Sequence, residues 1–311
     1  MNPKLGDAKV DKILSQYSIM YRNPNYISEL LLPPLKVKEK TGKFAQYGKE
    51  NLRVYTDGLF RAPGTRAATV DYSVSQGTYE CRERSLEKLV PDEFINNSDD
   101  PYDPKRDAVA VLMDNIWGNQ ERALQQAMTA TGTMTSNTTL TGADQWSNDA
   151  STPLTDIETG ITTVLTNIGR RPNTLVLCHD VFMKLKYHPD VREQLKYTNG
   201  GQLTDEATKA GMAALFNVSK VIVGDAVFNN SDPGQSDSMA SIWSKDAWLL
   251  YIPERPSLMM PAFGYTFFDV ARLVDTYREE PKVSDVVRVR YSYDQNLVDV
   301  TAGYLIKNAI A

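Results

Sequence analysis

The chain is poor in the residues that usually carry chemistry. Of 311 residues only two are cysteine and two are histidine. Cys81 and Cys178 stand far apart, no CxxC pair occurs, and His179 and His188 form no cluster with them. A disulfide framework or a zinc site is therefore excluded as an organising feature. Long apolar runs are also lacking. None approaches the roughly 18–20 residues that span a bilayer, and the opening MNPKLGDAKVDKILSQYSIMYRNPNY has no apolar segment followed by a small-residue cleavage site. The expectation is a protein without a membrane segment, made and used in cytoplasm. No GxGxxG follows a strand pattern and no strand–GxxxxGK[ST]–helix order occurs, so no nucleotide cofactor is implied. The acidic stretch EFINNSDDPYDP lacks EF-hand spacing. Cys178 beside His179 is the one nucleophile-like pair, but neighbours on a strand point to opposite faces. A Cys178-dependent enzyme is thus a minor alternative, and the expectation is no enzyme and no cofactor.

What is present is ordinary globular composition, 41% hydrophobic and 23% charged, in a chain long enough for a sizeable core. The net charge of −5 hides an asymmetry: residues 1–66 hold 12 Lys+Arg against 6 Asp+Glu, leaving 22 against 33 for the rest. An acidic bulk opposes binding to a phosphate backbone, and the aromatic residues do not interleave with the basic ones as single-strand binding requires. Such a split charge suits a molecule whose front lies on the back of another copy of itself.

Residues 1–35 read as an arm: Val10, Ile13, Leu14 and Tyr17 follow helical spacing, then RNPNY and LLPPL break it with prolines. YISELLLPPL is too apolar to stay in water and should dock on something. Residues 36–90 read as a long hairpin. The outgoing KVKEKTGKFAQYGKENLRVY carries exposed Lys36, Lys38, Lys40, Lys43 and Lys49; DG and APG mark the tip; Val70, Tyr72 and Val74 alternate on the return, with a bulge expected at Gly77. The clearest helix runs from about 104 to 131, capped by Asp103 with Pro104 at its first position. Its apolar stripe is Ala108, Leu112, Ile116, Ala123 and Ala127, flanked by Trp117, Leu124 and Met128. Residues 133–152 fit a loop or weak hairpin. A compact α/β unit follows, with a helix opened by Thr152–Pro153, a buried strand at Thr174–Cys178, and a helix that Thr204 should cap. The final third reads mainly as strand.

That order, together with LLPPLKVKEKTGKF, DDPYDPKRDAV, RRPNTLVLCHDVFMKLKYHPDVREQLKY and DVTAGYLIKNAI, resembles the major capsid proteins of tailed bacteriophages, over essentially the whole chain. The resemblance implies an α+β fold of the Hong Kong 97 type. Its parts would be an N-terminal arm (1–35), an extended loop (36–90), a peripheral domain with the spine helix (91–149), an axial domain (150–270) and C-terminal strands shared by the two (271–311). It also implies self-assembly into pentamers and hexamers of an icosahedral shell that encloses DNA without reading its sequence. Assembly would take place in the host cytoplasm and the product would be a virion. A separate scaffolding protein, a portal and a decoration protein are the further partners implied. Inter-subunit contact is expected between Lys36, Lys38, Lys40, Lys43 and Lys49 of one copy and Asp92, Glu93, Asp99, Asp100 and Asp103 of the next. Some relatives weld neighbours through a Lys–Asn isopeptide bond; no motif here aligns Lys43 or Lys49 with Asn296. An encapsulin-like compartment shell, which shares the fold, is the main alternative.

Overall fold

The computed structural model describes residues 9–20, 23–48, 52, 54, 59–61, 63–67, 69, 74–98, 102–198, 204–232, 234–255 and 260–311. No helix among them is long and apolar enough to cross a membrane. Two five-stranded sheets organise the chain, one built from its two ends and one from its middle and extreme C-terminus.

The first sheet centres on two long antiparallel strands, β12 (Gly264–Glu279) and β13 (Ser284–Leu297). Beside β12 lie β1 (Lys9–Val10), antiparallel, and β2 (Pro34–Lys36), parallel; beside β13 lies β5 (Arg82–Pro91) at the sheet edge. Period-two alternation explains β13: Val287, Val289, Tyr291 and Tyr293 face a core, while Arg288 and Arg290 face the other way. That core is completed by α4 (Pro104–Thr129), which lays Ala108, Val109, Leu112, Met113, Ile116 and Trp117 on the sheet. The Asp103 carboxylate accepts from the backbone N–H of Lys105 (3.0 Å) and Arg106 (3.3 Å), so the cap is as the sequence indicates. Two details of the helix differ. It ends at Thr129, and its stripe past Trp117 passes through Gln120, Glu121, Leu124 and Met128, with Ala123 exposed and Ala127 half-buried. The small residues lie off the buried face because the helix changes partner half-way.

The second sheet has the order β6–β14–β11–β7–β8, from β6 (Asn137–Thr139), β7 (Thr174–Cys178), β8 (Lys220–Gly224), β11 (Ala247–Leu250) and β14 (Gly303–Lys307). The Thr/Asn-rich stretch is thus no hairpin; Asn137–Thr139 finds a partner in Leu305–Lys307. Strands β7 and β8 are parallel, joined through α6 (His179–Tyr187), α7 (Pro189–Thr198) and α8 (Asp205–Phe216). Helix α5 (Pro153–Ile168) packs across the sheet, so tightly that a Cβ at Gly160 would meet Leu249 and Tyr304. Thr204 sits at the cap position of α8 but its side chain makes no capping bond. Leu124 and Met128 of α4 belong to this core, so one helix serves both.

The arm docks on its own chain. Helix α1 (Lys12–Met20) buries Leu14 in the first core while Ile13 faces solvent, and Val10 is extended, paired with Asp275. In α2 (Ser28–Leu31) and just after it, Leu31 and Leu32 are wholly buried in the second core. Among the remaining described elements, α3 (Asp92–Asn96) follows β5, and β9 (Val227–Asn229) pairs with β10 (Met239–Ser241).

Candidate functional site

The excursion that the sequence marks as a hairpin stands on a third, small core. Strand β3 (Thr41–Tyr47) pairs antiparallel with β4 (Val74–Glu80) in continuous register, from Thr41 opposite Glu80 to Tyr47 opposite Val74. The expected bulge at Gly77 is therefore not there. Gly77 lies directly across from Phe44 and under its ring, and Gly42 lies in the same relation to Tyr79. The two aromatic rings fill the space that two missing side chains leave, a known way of protecting strand glycines. Both rings then stack on Phe267 of β12, Phe44 at 5.3 Å and Tyr79 at 4.7 Å between centroids, with interplanar angles of 21° and 15°. The buried Cys81 thiol and Tyr265 complete this cluster, and Gln46 Nε2 donates to the Val298 carbonyl at 2.7 Å. Val70 and Tyr72 lie outside the described residues.

Lys36 of β2, Lys38 and Lys40 between β2 and β3, and Lys43 of β3 are all exposed, and none makes an ion pair among the described residues. Lys49, Asp99 and Asp100 lie outside the described residues. The other acids of the expected contact are placed at the opposite end of β5, and two are already engaged. Asp92 grips the Arg278 guanidinium with both oxygens, one at 2.6 Å, and Arg278 also reaches Asp285 at 3.2 Å. Asp285 in turn accepts from Lys105 at 2.7 Å. The hydrogen bond from Arg278 holds the Asp92 carboxyl below its ordinary value, and that from Lys105 does the same for Asp285. Asp103 caps α4 and pairs with Arg106 at 3.3 Å. Glu93 alone of the described acids in the set is exposed and unengaged. Among the described residues no ion pair joins the lysine set to the acid set.

The Cys178 and His179 side chains separate, but not by strand alternation, since Cys178 ends β7 and His179 opens α6. The Cys178 thiol is buried and donates to the Trp243 carbonyl at 3.3 Å, while the exposed His179 ring meets Asp225 at 2.9 Å. Burial pushes the Cys178 thiol up and the Cys81 thiol up to about 11, so neither is a ready nucleophile. His188 is buried, its Nε2 within 3.2 Å of Ser151 Oγ and of the Asn148 carbonyl.

Relatives of known identity match this sequence along nearly the whole chain. The major capsid protein of Burkholderia phage BcepMu is 27% identical over 306 residues, covering 96% of this chain and 95% of that protein. The major capsid protein of Pseudomonas phage JBD67 is 27% identical over 318 residues, covering 97% of each. The chain is a homologue of phage major capsid proteins. A crystal structure of a phage-related protein from Bordetella bronchiseptica RB50 has a TM-score of 0.77 at 28% identity, covering 97% of this chain and 98% of that one. An encapsulin complex from Synechococcus elongatus PCC 7942 gives 0.54 at 14% identity, covering 92% and 88%, a likeness of fold alone. No protein-family model matches the chain. The fold is that of the tailed-phage capsid proteins, with mixed helix and sheet, a docked arm, a projecting hairpin and a long spine helix.

Two buried carboxylates that tie the fold together escape the sequence reading. Glu121, in mid-helix α4, is fully buried and accepts from Ile27 N–H (3.0 Å), Ser28 N–H (2.7 Å) and Trp243 Nε1 (2.7 Å), tying arm, spine and second sheet together. Asp275, also buried, takes Arg290 at 2.5 Å and Arg288 at 3.5 Å. Only the Asp275 pairing had a signal: two arginines alternating with valines on the strand beside it.

Proposed function

We propose that this chain is the repeating subunit of an icosahedral phage capsid, assembling with copies of itself into pentamers and hexamers around DNA. The near full-length likeness to named major capsid proteins of two phages carries this reading. The hairpin supports it as well, since Lys43 on the seated strand pair and Lys36, Lys38 and Lys40 just ahead of it are exposed and make no ion pair among the described residues. A hairpin laid on the next copy is a head-to-tail contact, and such contacts close into rings when the rotation permits. The first sheet with the front half of α4 would be the peripheral unit and the second sheet the axial one.

In this reading the subunit has a structural, non-enzymatic role and resides in the virion, assembled in the host cytoplasm, with scaffolding, portal and decoration proteins as further partners. Lys36, Lys38, Lys40, Lys43 and Lys49 meet the acidic face of the neighbour, where Glu93 is, among the described acids of the set, the one left unengaged by its own chain. Each exposed pair contributes only about 0–1 kcal/mol, enough to set register across many copies. The test is charge reversal at Lys38, Lys40 and Lys43 together. Shells seen for the wild type by negative-stain microscopy should be lost, with circular dichroism and thermal unfolding unchanged. Normal shells from the triple variant would refute the lysine contact. The encapsulin reading has fold likeness behind it; an enzyme cargo copurifying with the shells would favour it over a DNA container.

A further inference from the structure

The ribbon of β9 (Val227–Asn229) and β10 (Met239–Ser241) has only two strands, so among the described residues each keeps one edge unpaired. Two strands alone are marginal in water, and open edges invite another chain. Val227 is 52% and Met239 65% exposed, and strand alternation puts both on one face of the ribbon. On the other face Phe228 lies under the Arg122 guanidinium of α4, 4.9 Å from its ring centre. Two bonds fix the phase of the ladder, from Ile242 N–H to the Ala226 carbonyl at 2.9 Å and from Asn230 N–H to the Ser238 carbonyl at 2.8 Å. In that phase Phe228 and Ala240 form a hydrogen-bonded pair, and the backbone groups of Val227 and Asn229 turn away from β10. Between ribbon and helix lies a groove of about 370 Å³, lined by all three residues of β9 and by Asp114, Gly118 and Arg122 on successive turns of α4. Gly118 is out of place there. A glycine inside a helix costs about 0.5–1 kcal/mol relative to alanine, yet a Cβ at this position would meet only Tyr26 Oη, at an ordinary 3.5 Å. Packing within the chain does not demand it; a second chain lying close against the helix would.

We infer that this groove receives an extended, basic segment of a different protein, which adds to β9 as a third strand and passes over Gly118. The open edge sets the form of the occupant, since main-chain bonds to an added strand supply affinity and its alternate side chains supply specificity. Charge sets its sign. Residues 221–244 hold Asp225, Asp232 and Asp237 and no Lys or Arg, Asp232 and Asp237 are exposed between the two strands, and Asp114 lines the groove against Arg122 alone. Apolar side chains of the segment cover Val227, and its basic ones face Asp114 and the acids between the strands. A second copy fits less well, because the basic extended stretch of this chain, residues 36–49, is the one that the shell-subunit reading already assigns to the acids near Glu93. The inference rests on that reading for this exclusion only, and goes beyond it by giving a second protein a defined place of attachment on the subunit.

The experiment measures binding of two dye-labelled hexapeptides to the full, unassembled chain by fluorescence anisotropy, one alternating Lys with Val and the other alternating Glu with Val. The Lys–Val peptide should bind saturably and slow hydrogen exchange at the Val227 and Asn229 amides, read by NMR. The Glu–Val peptide should bind about tenfold more weakly or not at all. Two variants locate the contact. Gly118→Leu fills the groove from a helix position with room for a side chain, and Val227→Pro removes an outward N–H without taking a bond from the ladder. Each should weaken the Lys–Val peptide about tenfold or more, with circular dichroism and thermal stability not reduced; Gly118→Leu alone decides if the proline variant does not fold. Equal binding of both peptides, binding that survives Gly118→Leu, or no binding at about 1 mM peptide overturns the inference. Loss of shells in Gly118→Leu without peptide binding to the wild type would assign the groove to a second copy, and equally overturns it. Shells that form while the peptide fails to bind leave the shell reading standing, and a wild type that binds the peptide but never assembles counts against that reading alone.

Discussion

Replacing Glu121 by alanine tests whether the junction of arm, spine helix and second sheet depends on one buried carboxylate. The side chain takes three hydrogen bonds, from Ile27 N–H, Ser28 N–H and the Trp243 indole, and is fully buried. Alanine leaves three donors without a partner, and each unsatisfied buried donor costs about 1–3 kcal/mol. Because donors so close together do not act additively and the vacated space admits water, the expected loss is about 3–5 kcal/mol. Glutamine keeps the shape but turns one acceptor oxygen into a donor that must face either Trp243 or Ser28, so E121Q should cost about 1–3 kcal/mol.

The same residue gives a pH signature with a definite sign. Burial raises the Glu121 carboxyl above its ordinary value, against the opposing hydrogen bonds from Ile27, Trp243 and Ser28. The native state therefore holds this proton more tightly than the unfolded chain does. The contribution is fully present below the unfolded carboxyl value and is lost as pH rises through the raised native one. Between those values the slope is at most about 1.4 kcal/mol per pH unit. Urea unfolding of wild type and E121Q at a series of pH values isolates it as the difference between the two curves. An E121A protein within about 0.5 kcal/mol of wild type, the range of ordinary surface substitutions, would falsify the account. So would an E121Q protein that keeps the wild-type pH slope.

Two further outcomes follow from the hairpin base and the thiols. Gly77→Ala drives a methyl into the Phe44 ring and unseats it from Phe267; overpacking of this kind costs about 1–3 kcal/mol, so hydrogen exchange of β3 and β4 should accelerate at least about tenfold, and unchanged protection would show the ring contact to be dispensable. Iodoacetamide at neutral pH should label neither Cys81 nor Cys178 in the native protein, since both are buried with raised thiol values; mass spectrometry showing rapid Cys178 modification would revive the enzyme alternative.

Local signals were legible where local physics decides. The Asp103 cap, Pro104 at the first turn and the apolar spacing place α4 because a helix end and a helix face are both written within a few residues. The buried strand Thr174–Cys178 is read for the same reason, a short apolar run after a Pro-Asn turn. Gly77 shows where such reading stops. A glycine in a strand signals a bulge or a close approach, and the choice belonged to Phe44, a residue on the other strand whose register the sequence does not print. Asp92 is similar: its charge is evident, but its engagement by Arg278, 186 positions away, is not. Glu121 carries no signal, since a charged residue in mid-helix ordinarily faces water and only the fold reveals three donors waiting for it.

In the proposed shell the exposed lysines would guide and orient a neighbour more than hold it, because their field shrinks to about 8 Å at physiological ionic strength. Weak contacts suit a shell, because a subunit added in the wrong place must leave faster than the next one arrives. For weak contacts to specify one geometry, the element that carries them must not swing. The stacking of Phe44 and Tyr79 on Phe267 meets that requirement at the hairpin's base. Phe267 belongs to β12, whose partner β13 lies under α4, and α4 is buried in both main cores. The base of the hairpin is thus fixed to the body of the fold.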